Sequence, residues 1–139
     1  MPSPPDTLAK ADFMALSEFR YQMRRFERFS ENAAHAEGIT PLQYLLLLHI
    51  KGFPGREWAT VGELAERLQA QQHGVVALLG RCEAAGLVQR RQNAQDRRRV
   101  EVHLLPAGED VLLRLASIHR AELQSLHGVF TVPNLPAKP

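Results

Sequence analysis

Apolar residues recur along this chain with three kinds of spacing, and each predicts a kind of element. Leu16, Phe19, Met23 and Phe26 fall three or four residues apart and Ala33 continues the stripe. That is one face of a long amphipathic helix from Leu8 or Asp12 to about Ala36, ended by Gly38. Thr40-Pro41-Leu42-Gln43 then has the chemistry of a helix start: threonine as N-cap, proline at the first helical position, glutamine placed to reach back. The LLLLHI run that follows is apolar on every side, which predicts a central, fully buried helix. Gly52, Pro54 and Gly55 break the chain after it.

Thr60 and Glu63 repeat the capping spacing and open a short helix through Leu68, with Val61, Leu64, Ala65 and Leu68 at helical intervals. After a turn at Gln69 and Ala70, Val75, Leu78, Leu79 and Cys82 mark a further helix from about Gln71 to Ala85, and Gly86 stands where a left-handed stop is expected. From Arg99 to Leu104 the period becomes two: Val100, Val102 and Leu104 alternate with Arg99, Glu101 and His103, as in a half-buried strand. With Leu87 onward this makes a hairpin over 87–104. Pro106 opens a last amphipathic helix to about Leu126, with Val111, Leu115 and Ile118 on one face and Leu112, Leu123 and Leu126 close by. Residues 1–7 form a proline-rich arm and residues 128–139 an irregular tail, where three prolines fall in the last seven positions. There is no internal repeat.

Composition adds limits. At 139 residues, 45% hydrophobic and 23% charged, the chain fits one folded domain. A net charge of +2 with an isoelectric point near 9.0 does not by itself demand a polyanionic partner. The clustering is more telling. The hairpin carries Arg90, Arg91, Arg97, Arg98 and Arg99 against Asp96 and Glu101, five charges less two, or +3. On the first helix Arg20, Arg24, Arg25 and Arg28 share the surface with Glu18, Glu27 and Glu31, which reads as a solvated, ion-paired face. The single cysteine, Cys82, excludes an intrachain disulfide framework and suits a reducing compartment. No apolar run has signal-peptide length or approaches the roughly 20 residues that cross a bilayer. A cytoplasmic protein with no membrane partner is the expectation.

Two short helices followed at once by a basic hairpin have the order of a winged helix-turn-helix. The fold class expected is therefore mainly α with a small β-hairpin wing, flanked by long N- and C-terminal helices. In such a unit the first turn of the second helix enters the major groove. Here that turn supplies Gln71, Gln72 and His73, which donate and accept hydrogen bonds, while Gly74 and Ala77 present little bulk. No arginine stands there, so Gln72 on an adenine edge or His73 on a guanine is the readout expected. The tip of the hairpin would offer Arg98 to a minor groove, Asp96 to orient its guanidinium, and Arg97 and Arg99 to phosphates. On charge alone the same tip reads equally well as a salt-paired, solvated turn.

LAERLQ (Leu64–Gln69), CEAAGLV (Cys82–Val88) and above all DRRRVEVHLLPAGE (Asp96–Glu109) are similar to the MarR family of bacterial winged-helix regulators, the last being close to that family's D-x-R wing motif, strand and helix start. The resemblance runs in order from about Asp12 to Leu126. It implies a homodimer, with residues 8–36 and 106–127 as dimerisation helices and 40–105 as the DNA-reading core, on a pseudo-palindromic duplex. It also implies a repressor released by a small aromatic or phenolic effector. The apolar faces of the first and last helices, left without enough partner surface, agree with a two-fold dimer. The chain departs from the family in three ways: Leu105 replaces the capping threonine after the wing, the residues after Leu126 leave no room for a further helix so the dimer base should be smaller, and Gly74 and Gly80 interrupt the second helix.

Other chemistries find little support. The family's sensing cysteine near the start of the first helix is absent, and Cys82 reads as a buried structural thiol. The six histidines show no metal-ligand spacing, and there is no glycine-rich phosphate loop and no G-x-S-x-G element. Neither an enzyme nor a metal or other cofactor is expected, and Trp58 reads as a packing residue. The competing function is a winged-helix module that binds another protein and no specific DNA.

Overall fold

A computed structural model of the chain describes residues 7–136; apart from Thr7, the expected N-terminal arm lies outside them. The elements are α1 (Lys10–Ala36), α2 (Pro41–Lys51), β1 (Trp58–Thr60), α3 (Val61–Leu68), α4 (Gln72–Ala84), β2 (Val88–Gln92), β3 (Val100–Leu104) and α5 (Pro106–Ser125). The caps work as their chemistry requires. Thr40 Oγ1 accepts from the Gln43 amide at 3.2 Å while Gln43 Oε1 accepts from the Thr40 amide at 2.8 Å. Thr60 and Glu63 make the same reciprocal pair at 3.3 and 2.8 Å. These bonds satisfy amides that a helix start leaves without partners. At α1 the cap Ala9 has no side-chain acceptor, and only Asp12 reaches back, 2.8 Å to the Ala9 amide. Leu105 likewise caps α5 with no side-chain bond.

The three strands form one antiparallel sheet in the order β1-β3-β2. The hairpin β2–β3 pairs Val88 with Leu104 and Gln92 with Val100. β1 adds an edge not evident in the sequence, pairing Trp58 with His103 and Thr60 with Glu101; three residues are too few to display a period of two. Val102 is fully buried on the inner face of β3, while Val100 and Leu104 are partly buried.

α2 lies against α1, α3, α4, α5 and two of the strands, so Leu46, Leu47 and Ile50 join Leu64, Leu79, Val102 and Leu115 among the fully buried side chains. The expectation that α2 is buried on every side is not met: Leu42 is 51% exposed and Leu48 36%. Leu48 lines a cavity that it shares with Phe26 of α1 and His119 and Leu123 of α5. α5 also turns a different face inward. Val111, Leu112, Leu115 and the polar His119 are buried, leaving Ile118 and Leu123 in solvent. α1 has no fully buried residue from the expected stripe; Leu16, Phe19, Met23 and Phe26 are half-buried, and the buried positions are Gln22 and Ala34.

Two glycines fix junctions near the wing. Gly86, at φ +74°, ends α4 in the left-handed region, and the Leu87 amide then reaches the Cys82 carbonyl at 3.0 Å. Gly108, in the first turn of α5, lets that helix meet the backbone just before β2 so closely that a Cβ there would lie 2.2 Å from the Leu87 carbonyl oxygen. Among the described residues no helix is long and apolar enough to cross a membrane.

Candidate nucleic-acid interface

α3 and α4 meet through a tight turn in which Gln69 takes a left-handed conformation at φ 51°, and its amide closes on Glu66 O at 3.1 Å. Gln71 is the N-cap of α4 and makes no side-chain cap bond; Gln72, His73, Gly74 and Ala77 follow in the first two turns, all exposed. Opposite them Val75, Leu78, Leu79 and Cys82 are buried. The helix is thus clamped to the core along one side while its start projects free polar groups. Val76 stands among them, a large apolar side chain 43% exposed. Sequence reasoning passed over it because a lone valine in a helix carries no chemical signal.

The hairpin tip is held by polar bonds. Arg99 N donates to Asp96 O at 3.0 Å, Asn93 N to Arg99 O at 2.9 Å, and Gln92 Nε2 to Arg97 O at 2.9 Å. Asp96 Oδ1 accepts from the Arg98 amide at 3.0 Å and from its guanidinium Nε at 3.4 Å. The second contact is long and the Arg98 side chain is 93% exposed. Asp96 therefore shapes the turn through the backbone more firmly than it fixes the guanidinium. Arg97, Arg98 and Arg99 are all exposed, with the Arg99 guanidinium 5.9 Å from the centre of the Trp58 ring. Arg90 does not add to this free charge, since its Nε lies 2.5 Å from Glu83 Oε1.

A cleft of about 320 Å³ joins the two parts. It is lined by Thr60, Val61 and Gly62 at the start of α3, by Gln72 of α4, and by Arg98, Arg99 and Val100 of the wing. Gln72, Arg98 and Arg99 are thus brought to one place from positions up to 27 residues apart. His73, Gly74, Ala77, Asp96 and Arg97 do not line this cleft, while Gln71 joins Gln72 in a neighbouring one beside Glu66 and Gln69. A helix end with exposed amides beside a cationic tip offers donors and acceptors for base edges and positive charge for phosphates. Among the described residues no three histidine, cysteine or acidic side chains converge to hold a metal ion.

Behind this face, Arg56 is stacked between the rings of Phe53 (4.3 Å) and Trp58 (3.9 Å) and pairs with Glu63. Burial pulls the Glu63 carboxyl upward, but hydrogen bonds from Thr60 and Arg56 outweigh it and hold the group below the usual carboxylate range. Cys82 is fully buried, and desolvation pushes its thiol up to about 11.

The arrangement has known counterparts. Residues 37–99 match the model of the MarR family, and a solved MarR family transcription regulator 26% identical in sequence superposes over 86% of this chain and 77% of its own with a TM-score of 0.72. The chain is similar to the MarR family in its central sequence and, along most of its length, in its fold. AbsC, a MarR family transcriptional regulator of Streptomyces coelicolor, shares the fold over 92% of this chain and 86% of its own, at a TM-score of 0.76 and 20% identity. A variant of MepR from Staphylococcus aureus, solved bound to an oligodeoxyribonucleotide, is 25% identical and covers 79% of each chain at a TM-score of 0.64. A proposed transcriptional regulatory protein for the hcr operon of Thauera aromatica is 30% identical over 96 residues, 69% of this chain. The matched region spans 56% of that relative. The mainly α winged helix-turn-helix read from the sequence is the fold observed, and it is shared with these MarR family regulators.

Proposed function

We propose that this protein is a MarR-family transcriptional regulator that binds a specific double-stranded DNA sequence as a homodimer, in the cytoplasm, and represses until a small aromatic or phenolic molecule releases it. The observation that carries the reading is the shared cleft, where Gln72 at the start of α4 and Arg98 and Arg99 of the wing are exposed on one side of the molecule. In this reading Gln71, Gln72 and His73 meet base edges in the major groove, and Gly74 and Ala77 allow close approach. Arg98 enters the minor groove, Asp96 holds its turn, and Arg97 and Arg99 meet phosphates. Residues 40–105 form the reading unit. Residues 8–36 and 106–127 form the dimer base, a role supported by exposed Phe13, Met14, Leu113, Ile118 and Leu123 on α1 and α5. A cavity of about 570 Å³ lined by Phe26, Tyr44, Leu48, His119 and Leu123, among others, supports an aromatic effector.

The test is enrichment of fragments of the source genome on the protein. The expected product is a pseudo-palindrome with half-sites about 10 bp apart. Arg98→Ala should weaken binding to every sequence and lower the salt slope by about one, whereas Gln72→Ala or His73→Ala should relax preference at individual positions. Recovery of no enriched sequence would overturn the proposal.

A further inference from the structure

The wing tip has no apolar anchor. Between Gln92 and Arg99 every residue is exposed or only partly buried, so polar bonds alone must select one conformation from many, against about 1 to 2 kcal/mol of backbone entropy for each residue ordered. One unbroken chain of such bonds runs from the sheet to the tip. On the outer face of β3 the His103 ring stacks on Trp58 of β1, centroids 6.3 Å apart, and its Nε2 lies 2.8 Å from Glu101 Oε1. Glu101 Oε2 accepts from Asn93 Nδ2 at 2.6 Å. Asn93 Oδ1 in turn accepts from the backbone amides of both Gln95 and Asp96 at 2.9 Å, and Asp96 Oδ1 accepts from the Arg98 amide. The side-chain amide of Asn93 is engaged at both ends, which fixes its orientation. The carboxyl of Glu101 is held below its usual range by His103 first and then by Asn93, against the opposing pull of desolvation. The Glu101 side chain is 16% exposed and that of Arg98 is 93% exposed. The base of the chain is fixed and its far end is free.

We infer that Asn93, held by Glu101, is a positioning residue for DNA binding: it locks the wing turn so that Arg98 is presented already in place. The inference rests on the DNA-binding reading above. Asn93 itself touches no DNA. A turn that samples other conformations binds more weakly in proportion to the fraction that is competent, so the relay raises affinity by reducing what the tip must lose on binding.

The experiment measures affinity for a duplex fragment enriched on the wild-type protein, together with hydrogen exchange of the Gln95 and Asp96 amides in the free protein. Asn93→Ala should speed exchange of both amides and weaken DNA binding about five- to tenfold, the effect of losing one to two net hydrogen bonds. In an Arg98→Ala background the same substitution should cost less than about twofold, because the group it positions is gone. A purely structural role would give the same loss in both backgrounds. Asn93→Asp alone should weaken binding by setting two carboxylates face to face. Asn93→Asp with Glu101→Gln reverses donor and acceptor across the same gap and should restore it. If Asn93→Ala speeds amide exchange but leaves DNA affinity unchanged, or if the reversed pair fails to rescue, the positioning role is overturned while the DNA-binding reading stands. If the wild-type protein enriches no fragment, both fall.

Discussion

Replacing Gly108 by alanine should destabilise this protein, while the same change at Gly80 should stabilise it. Both residues lie within helices, where alanine is favoured over glycine by about 0.5 to 1 kcal/mol. At Gly80 nothing lies within 4 Å of the added Cβ, so that preference is all that acts. At Gly108 the Cβ would sit 2.2 Å from the Leu87 carbonyl oxygen and 3.1 Å from its carbon. Ordinary contact begins at 3.4 Å, so the two chains must separate by 3.4 less 2.2, or 1.2 Å. The obstacle is backbone and has no rotamer through which to escape. Moreover, Leu87 O accepts the Leu105 amide at 2.9 Å, and a shift of that size stretches the bond to about 4 Å, beyond hydrogen-bond range. Overpacking of this kind costs about 1 to 3 kcal/mol and the lost bond about 1 more. The clash therefore exceeds the helical gain, for a net loss of about 1 to 3 kcal/mol against a gain of up to about 1 at Gly80. Urea denaturation of the two variants and the wild type, fitted with a common m-value, measures both. A Gly108→Ala variant as stable as the wild type would refute the close junction of α5 with the Leu87 backbone.

Acid should weaken the fold in two steps. The His49 imidazole is held below its ordinary 6.5 by burial and then by the charge of Arg67. The unfolded chain thus takes up that proton first, and stability falls as pH drops below about 6.5 toward the folded value. Glu63 and Glu101 lie below their ordinary 4.5 when folded, so their contribution is present above pH 4.5 and lost as pH falls through the folded values. His49→Gln should flatten the first step in urea midpoint and Glu63→Gln the second; an unchanged slope between pH 7 and 5.5 in His49→Gln would count against the first assignment. Cys82, buried with its thiol near 11, should resist a neutral thiol reagent in the native state and react at once in denaturant. Rapid native labelling would show that α4 opens.

The parts of the fold legible in the sequence were those written in local chemistry. The boxes at Thr40–Gln43 and Thr60–Glu63 placed two helix starts, because a cap needs only residues three apart. Gly86 placed a stop through its φ, and the alternation at Val100, Val102 and Leu104 placed a strand. What escaped depended on partners distant in sequence. β1 exists because β3 lies beside it. His119 is buried on α5, where Ile118 was expected, because its ring is gripped by groups on α1 and α2. α2 reads as buried all round, but burial is a property of neighbours, and those around Leu48 leave an open cavity beside it. At the candidate interface, the arginines announced themselves by charge. The withdrawal of Arg90 by Glu83 and the bond between Asn93 and Glu101 did not, since the first joins residues seven apart across the turn from α4 into β2 and the second residues eight apart across the hairpin.

The inward turn of His119 selects the tautomer of its neutral ring. Nδ1 lies 2.7 Å from the Leu115 carbonyl, a group that only accepts, so this nitrogen carries the hydrogen. In the neutral ring Nε2, 2.9 Å from Ser30 Oγ, is then the lone-pair side and accepts the hydroxyl proton of a residue on α1. Tyr44 stacks on one face at 4.9 Å, and Phe26 and Phe29 meet the ring at steep angles. With both nitrogens occupied inside the fold, the histidine shows the neighbouring cavity only carbon and π surface. On that wall, the side chain with the widest hydrogen-bonding repertoire behaves as one more aromatic ring.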